Sequence, residues 1–253
     1  MKIVMGNFST TKKSSNNSCS ILVVLHIFLS CLKIIQMKKL IYLIPLIIAF
    51  VSCTDEKDPT IYNADLGIIE NLNNGVVPAD IVANVGSEAL YGLDYGGGYI
   101  FHFDENDGGL IVATDYSQIG NVAWGDIFQL DTSIEIGSGD LNTQQIVEGN
   151  LNDNSSNGFE HGNNEYVFKI VSDLEFNGFN DWFVPSRDSM AAIYSNVHSL
   201  GFGNFNQNII YWSSTKIGYQ PYVMGFNFDS WGGEPFLGNC ASPNGVMIAR
   251  KVN

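Results

Sequence analysis

The apolar positions of this chain change texture along its length. Leu40 to Val51 is an unbroken apolar run of twelve, directly after Met37-Lys38-Lys39. Past it the pattern turns polar and irregular, and from Gly92 it sharpens into short periodic segments. Tyr99-Ile100-Phe101-His102-Phe103 and Leu110-Ile111-Val112-Ala113 are aromatic or β-branched runs on either side of an Asn/Asp/Gly cluster. That arrangement predicts a β-hairpin. Asn142 to Val147, after Gly-Ser-Gly-Asp, predicts a short capped helix. Tyr166, Phe168, Ile170, Val171 and Leu174 recur at helical spacing and stop near Asn177-Gly178. Ser186 is placed to cap a helix carrying Met190, Ile193, Tyr194 and Val197, which ends by Gly201. Strands are expected at Ile209–Trp212, ending at Ser213-Ser214-Thr215, at Val223–Phe228 and at Val246–Val252. Short strands, two or three helices and long loops predict an α+β domain.

Upstream of that domain the organisation is simpler. Twelve apolar residues fall short of the roughly 20 needed to span a bilayer, but match the core of a secretory signal. Phe50-Val51-Ser52-Cys53 then resembles a bacterial lipobox, with Phe50 where Leu is usual. Residues 37–52 are expected to be a lipoprotein signal peptide and Cys53 the lipidated first residue, with a plain signal peptide as the alternative. Residues 1–36 hold a second apolar run, Ile21 to Leu32, which export does not require. The start is expected at Met37; a pair of membrane segments is the rival. Residues 53–84 read as an acidic tether and a poorly ordered neck with room for one short element, punctuated by Asn73-Asn74-Gly75 and Pro78. The folded domain is expected over 85–253.

Charge removes one class of function. All six basic residues of the first 52 are lysines, and no acid accompanies them. Of the 12 basic residues, six are therefore left to face all 26 acids from Cys53 onward, a net charge of −20. Such a body lacks the basic footprint of a nucleic-acid binder. With Cys19 and Cys31 in the leader and Cys53 lipidated, Cys240 is a lone thiol, so the domain must rest on its core rather than on a disulfide.

A series of motifs then occurs in one order. It runs through Gly97-Gly98-Tyr99-Ile100-Phe101, Gly109 to Ala113, Trp124-Gly125, Ile136 to Gly139 and Asn142-Thr143. It closes with Asn180-Asp181-Trp182-Phe183-Val184-Pro185-Ser186 and Tyr211-Trp212-Ser213-Ser214. The series resembles the Lcl C-terminal domain family, named for a collagen-like bacterial surface protein, over about Val85 to Val252. The resemblance implies a C-type-lectin-like fold, related to formylglycine-generating-enzyme domains. Many relatives carry a cysteine pair that this chain lacks, and its closing strand reads Val246-Met247-Ile248-Ala249-Arg250. Glycosaminoglycan binding is associated with the founding member, whereas a net charge of −20 points away from sulfated sugars.

Taken as residues, Trp124, Asp181, Trp182, Pro185, Ser186 and Trp212 are a structural motif. Trp182 and Trp212 read as core anchors, and the residue before Pro185 is held extended. No catalytic constellation stands out. His102, His161 and His198 form no HxxxH or HExxH pair, and Cys240 alone cannot reproduce a paired-cysteine site. No metal ligands or cofactor are expected; the Asp104–Asp107 loop has calcium-like oxygens but not the EF-hand spacing, and reads as a turn. The loop-rich stretch after Ser214 offers Tyr219, Tyr222 and Trp231 as flat faces, with Asp229, Glu234 and Asn239 as hydrogen-bonding groups. Such a set suits a sugar. The expectation is a non-catalytic, lectin-like binding or adhesion lipoprotein. It would be anchored in the bacterial outer membrane by its lipid and displayed at the cell surface, with a glycan or surface-protein ligand. An accessory polysaccharide hydrolase using a carboxylate pair is the alternative.

Overall fold

The computed structural model describes residues 60–125, 130–152, 165–218, 220–225, 236–240 and 242–252. The chain divides into two units, Met1–Asp58 and Pro59–Asn253, and every described residue belongs to the second. Cys53 and the signal segment lie outside the described residues, as do Tyr219, Asp229, Trp231 and Glu234.

Two antiparallel sheets and five α-helices make up the described body, an α+β fold. The first sheet has the order β1 (Asp94–Tyr95), β2 (Gly98–Phe103), β3 (Leu110–Asp115) and β7 (Met247–Val252). The expected hairpin is β2–β3, registered Tyr99 with Ala113 and Phe103 with Leu110, with an irregularity between Ile100 and His102. The last strand returns beside β3, pairing Val112 with Arg250 and Thr114 with Ile248. Both faces of this sheet are covered, which is why Leu110 to Ala113 reads as a continuous apolar run rather than an alternating one. Successive side chains of a strand point to opposite faces. Ile111 and Ala113 accordingly join a core with Phe101, Met190 and Ile193, while Leu110 and Val112 join another with Ile81, Leu90 and Ile100.

That second core corrects the expectation of a neck over 60–84. Those residues form α1 (Ile68–Asn73) and most of α2 (Pro78–Val85), so the folded body begins near residue 60 rather than 85. Leu72, Val76 and Ile81 are buried against the sheet. Six and eight residues are too few to display a clear 3.6-residue period, so the punctuation is the better guide. Pro78 sits in the first turn, where its missing N–H is no loss, and Gly86 ends α2 at φ 82°. Asn71 is fully buried: its Nδ2 donates to the carbonyls of Asn63 (2.9 Å) and Gly67 (3.0 Å), and its Oδ1 accepts from the Asn63 amide at 2.8 Å.

The remaining helices are α3 (Gly139–Asn152), α4 (Val167–Ser172) and α5 (Arg187–Asn196). Five helices among the described residues replace the expected two or three. Ser186 caps α5, its Oγ accepting from the Ser189 amide at 3.3 Å. The second sheet is β4 (Ile210–Ile217), β5 (Gln220–Gly225) and β6 (Phe236–Leu237). Strand β4 runs on past Ser213-Ser214-Thr215, where an end was expected, because its hydroxyls find partners inside the protein. Ser213 to Lys216 are all buried. Thr215 Oγ1 donates to the Ser133 carbonyl (2.9 Å), and Thr132 Oγ1 donates to that of Ser214 (2.7 Å). A buried hydroxyl so bonded loses little by leaving water.

Candidate functional site

The stretch Phe176–Ser186 organises the surface of interest, and its geometry starts from a turn. Asn177 has φ 52° and Gly178 φ 80°; Asn177 is the one non-glycine residue at positive φ among those described. Two such residues in succession make the kind of turn that closes a tight hairpin, and Phe176 and Phe179 exchange amide–carbonyl bonds of 2.9 and 3.0 Å across it. Asn177 Nδ2 also donates to the Gly97 carbonyl at 3.1 Å, tying the hairpin to the start of β2. Gly97 (φ 90°) has no room for a side chain, since a Cβ there would sit 2.9 Å from the Phe179 ring.

From Asn180 the chain enters the motif singled out by sequence. Arg250 on β7 forks onto Asp181, with Nε to Oδ1 at 2.7 Å and Nη2 to Oδ2 at 2.9 Å. Its Nη1 donates to the Gly96 carbonyl at 2.8 Å, and its guanidinium lies 3.8 Å from the Phe179 ring centroid. The fork holds the Asp181 carboxyl below the usual carboxylate range. Trp124, Trp182 and Trp212 are buried, each indole donating to a main-chain carbonyl: Ser213 (3.0 Å), Phe176 (3.0 Å) and Val122 (2.7 Å). Ser186 Oγ donates to the Glu135 carbonyl at 2.6 Å, and the Pro185 carbonyl accepts from the Ser214 amide at 2.7 Å. Of the sequence-predicted motif residues Trp124, Asp181, Trp182, Pro185, Ser186 and Trp212, only Asp181 and Trp182 line a cleft described below.

Two clefts are bordered by this stretch. A groove of about 350 Å³ is lined by Asp140, Gln144, Asn180, Asp181, Trp182 and Lys251, among others. Both of its carboxylates face cations: Asp181 is forked by Arg250, and Asp140 Oδ2 accepts from Lys251 Nζ at 2.9 Å. A second cleft, of about 470 Å³, is bordered by Asp94, Tyr99, Asp115, Gln118, Asn177, Phe179 and Asn204. Asp115 is already occupied there. Its Oδ1 accepts from the Ser117 amide (3.1 Å) and the Tyr211 hydroxyl (2.9 Å), and its Oδ2 from Ser117 Oγ (2.8 Å). Burial, reinforced by the Asp115 charge, pushes the Tyr211 hydroxyl far up, so it stays a donor.

Of the late-loop residues expected at a binding site, the described ones are Tyr222 and Asn239. Tyr222 is half-buried on β5, opposite Leu237, with the Arg187 guanidinium 5.4 Å from its ring centroid. Asn239 is exposed at a turn, its carbonyl accepting from the Ser242 amide at 2.9 Å. The Asp104–Asp107 loop uses its acids within the turn: Asp104 Oδ1 accepts from the Asn106 amide (2.9 Å), and Asp107 Oδ1 from that of Gly109 (2.8 Å). Among the described residues no three His, Cys, Asp or Glu side chains group to hold a metal ion. His102 is half-buried on β2 and its imidazole pKa is lowered by that burial. Among the described residues no helix is long and apolar enough to cross a membrane.

Sequence reasoning missed the second cleft. Asp94, Gln118 and Asn204 are far apart in the chain, and each is an unremarkable surface residue. The sequence signal that points to it is Asn177-Gly178 between two phenylalanines, a pattern that suits a hairpin turn as well as a helix end. Comparison with protein-family models, curated proteins and solved structures gives no match to this chain.

Proposed function

We propose that the chain is a surface-displayed bacterial lipoprotein, held in the outer membrane through Cys53, whose lectin-like domain binds a neutral glycan and does not transform it. The observation that carries the reading is the state of the carboxylates lining the groove beside Trp182. A glycosidase needs one carboxyl that keeps its proton near neutral pH and a second that is free to act as base or nucleophile. In the groove, Asp181 is forked by Arg250, which favours its charged form, and Asp140 is paired with Lys251. Pinned acids beside amides and an indole suit a surface that holds a ligand. The excess of acids disfavours sulfated and phosphorylated ligands, and the resemblance to the Lcl C-terminal domain family supports the lectin-like class.

The test is a glycan array probed with the full chain in detergent, paired with a reducing-end assay on every glycan that binds. Retention of neutral glycans with no new reducing ends is the expected result. Release of reducing ends would establish the hydrolase instead, and retention of sulfated glycans alone would overturn the neutral-ligand reading.

A further inference from the structure

We infer that the cleft beside the Asn177 turn, rather than the late loop, is the subsite that receives a neutral sugar; this rests on the binding reading above and adds its location. The cleft volume, about 470 Å³, falls within the roughly 300–1,000 Å³ range of small-molecule sites. Its chemistry selects among ligand classes. An anion is disfavoured because Asp94 and Asp115 border the cleft and, among the described residues, no lysine or arginine does. A hard cation is disfavoured because it needs about six or more oxygen ligands, and Asp115 already spends both oxygens on Ser117 and Tyr211. An apolar ligand would strand the amides and the carboxylate that border the cleft.

A polyhydroxylated ring meets none of these objections. The side chains of Asp94, Gln118 and Asn204 make no hydrogen bond among the described residues, and all three are exposed at the cleft. A carboxylate accepts from hydroxyls, and each amide both donates and accepts, so together they match groups that are donor and acceptor at once. Tyr99, Phe176 and Phe179 supply aromatic surface for the C–H side of a sugar ring. The walls are also held before any ligand arrives. Phe179 is stacked on by an Arg250 that is itself forked onto Asp181, and Asn177 is tied to Gly97. Tyr99 is fixed by strand pairing to both Asp94 and Ala113. Preorganised walls spare the ligand the cost of ordering them.

The experiment uses the full chain in detergent and four neutral disaccharides: maltose, cellobiose, mannobiose and lactose. Binding is measured by titration calorimetry for the native protein, for the triple variant Asp94→Ala/Gln118→Ala/Asn204→Ala and for the single variant Gln118→Ala. Thermal melts check that each variant is folded. The expected result is that at least one disaccharide binds, and that the triple variant weakens it by about tenfold or more with an unchanged melt. Amide chemical shifts of the native protein, titrated with the same sugar, should move at Gln118, Asn177 and Asn204; this arm needs no variant. Full binding by a folded triple variant, or shifts confined to residues away from the cleft, would overturn this location and leave the binding reading intact. No binding of any of the four disaccharides would overturn the location, and an array that is also blank would overturn the binding reading with it.

Discussion

Replacing Arg250 tests whether stacking and a main-chain bond, rather than an ion pair, hold the hairpin of residues 176–179 against the first sheet. The Arg250 side chain is nearly buried, at 10% exposure, whereas the Asp181 side chain it forks is 51% exposed. Arg250→Met removes three things at once. The charged bond to the Gly96 carbonyl contributes about 1.5 kcal/mol. The contact with Phe179 contributes about 1 kcal/mol. The Asp181 pair contributes only about 0.5 kcal/mol, because half of its partner lies in water. The loss is therefore about 3 kcal/mol. For a body of this size that lowers the melting temperature by roughly 6–12 °C. Asp181→Asn keeps the stacking and the Gly96 bond, so it should cost about 0.5 kcal/mol and shift the melt by roughly 2 °C or less. Arg250→Lys falls between, because an ammonium cannot reproduce the fork. Calorimetric melts of the three variants, at low and high salt, make the comparison. Equal losses for Arg250→Met and Asp181→Asn would refute the reasoning, since the ion pair would then be the main contribution. The pH dependence has a definite sign. Arg250 depresses the folded-state pKa of Asp181, so this small stabilisation is fully present above about pH 4 and is lost as the pH falls through the folded value.

Three further outcomes are expected. Asn177→Ala should destabilise by about 1–2 kcal/mol, through an alanine forced to positive φ and the lost bond to Gly97, whereas Asn177→Gly should recover most of that; denaturant midpoints read both. Melts of the native protein should move by less than about 1 °C with chelator or reductant, because the Asp104–Asp107 acids serve the turn and Cys240 is in no disulfide among the described residues; a large drop with chelator would revive a calcium site. Cys53→Ala should shift the protein from the membrane to the soluble fraction, and native protein without an acyl mass on its N-terminus would overturn the lipidation reading.

Much of the fold is written locally. The β2–β3 hairpin follows from aromatic and β-branched runs around a turn cluster, and the start of α5 follows from Ser186, whose hydroxyl takes the amide three residues on. Elements whose signals are short were harder to see. Helices α1 and α2 are only six and eight residues long, and α1 buries Asn71, a polar residue whose satisfaction depends on the carbonyls of Asn63 and Gly67. Strand β4 carries serines and threonines that look like a turn until their partners, Thr132 and Ser133, arrive from about 80 residues away.

What the sequence by itself determined is the class of fold and the sign of the chain's net charge. Hydrophobic period, turn residues and charge count act over a few residues or over the whole composition, and neither depends on knowing which segments meet. What only the tertiary structure decided is where polar groups converge. Arg250 reaches Asp181 and Gly96 across 69 and 154 residues, and Asn177 reaches Gly97 across 80. The cleft of Asp94, Gln118 and Asn204 is bordered by β1, the start of β2, the end of β3 and the Asn177 turn, which is tied to Gly97. A hydrogen bond reaches about 3 Å, so whether a polar residue is spent inside the fold or left for a ligand depends on neighbours that the chain brings in from far away.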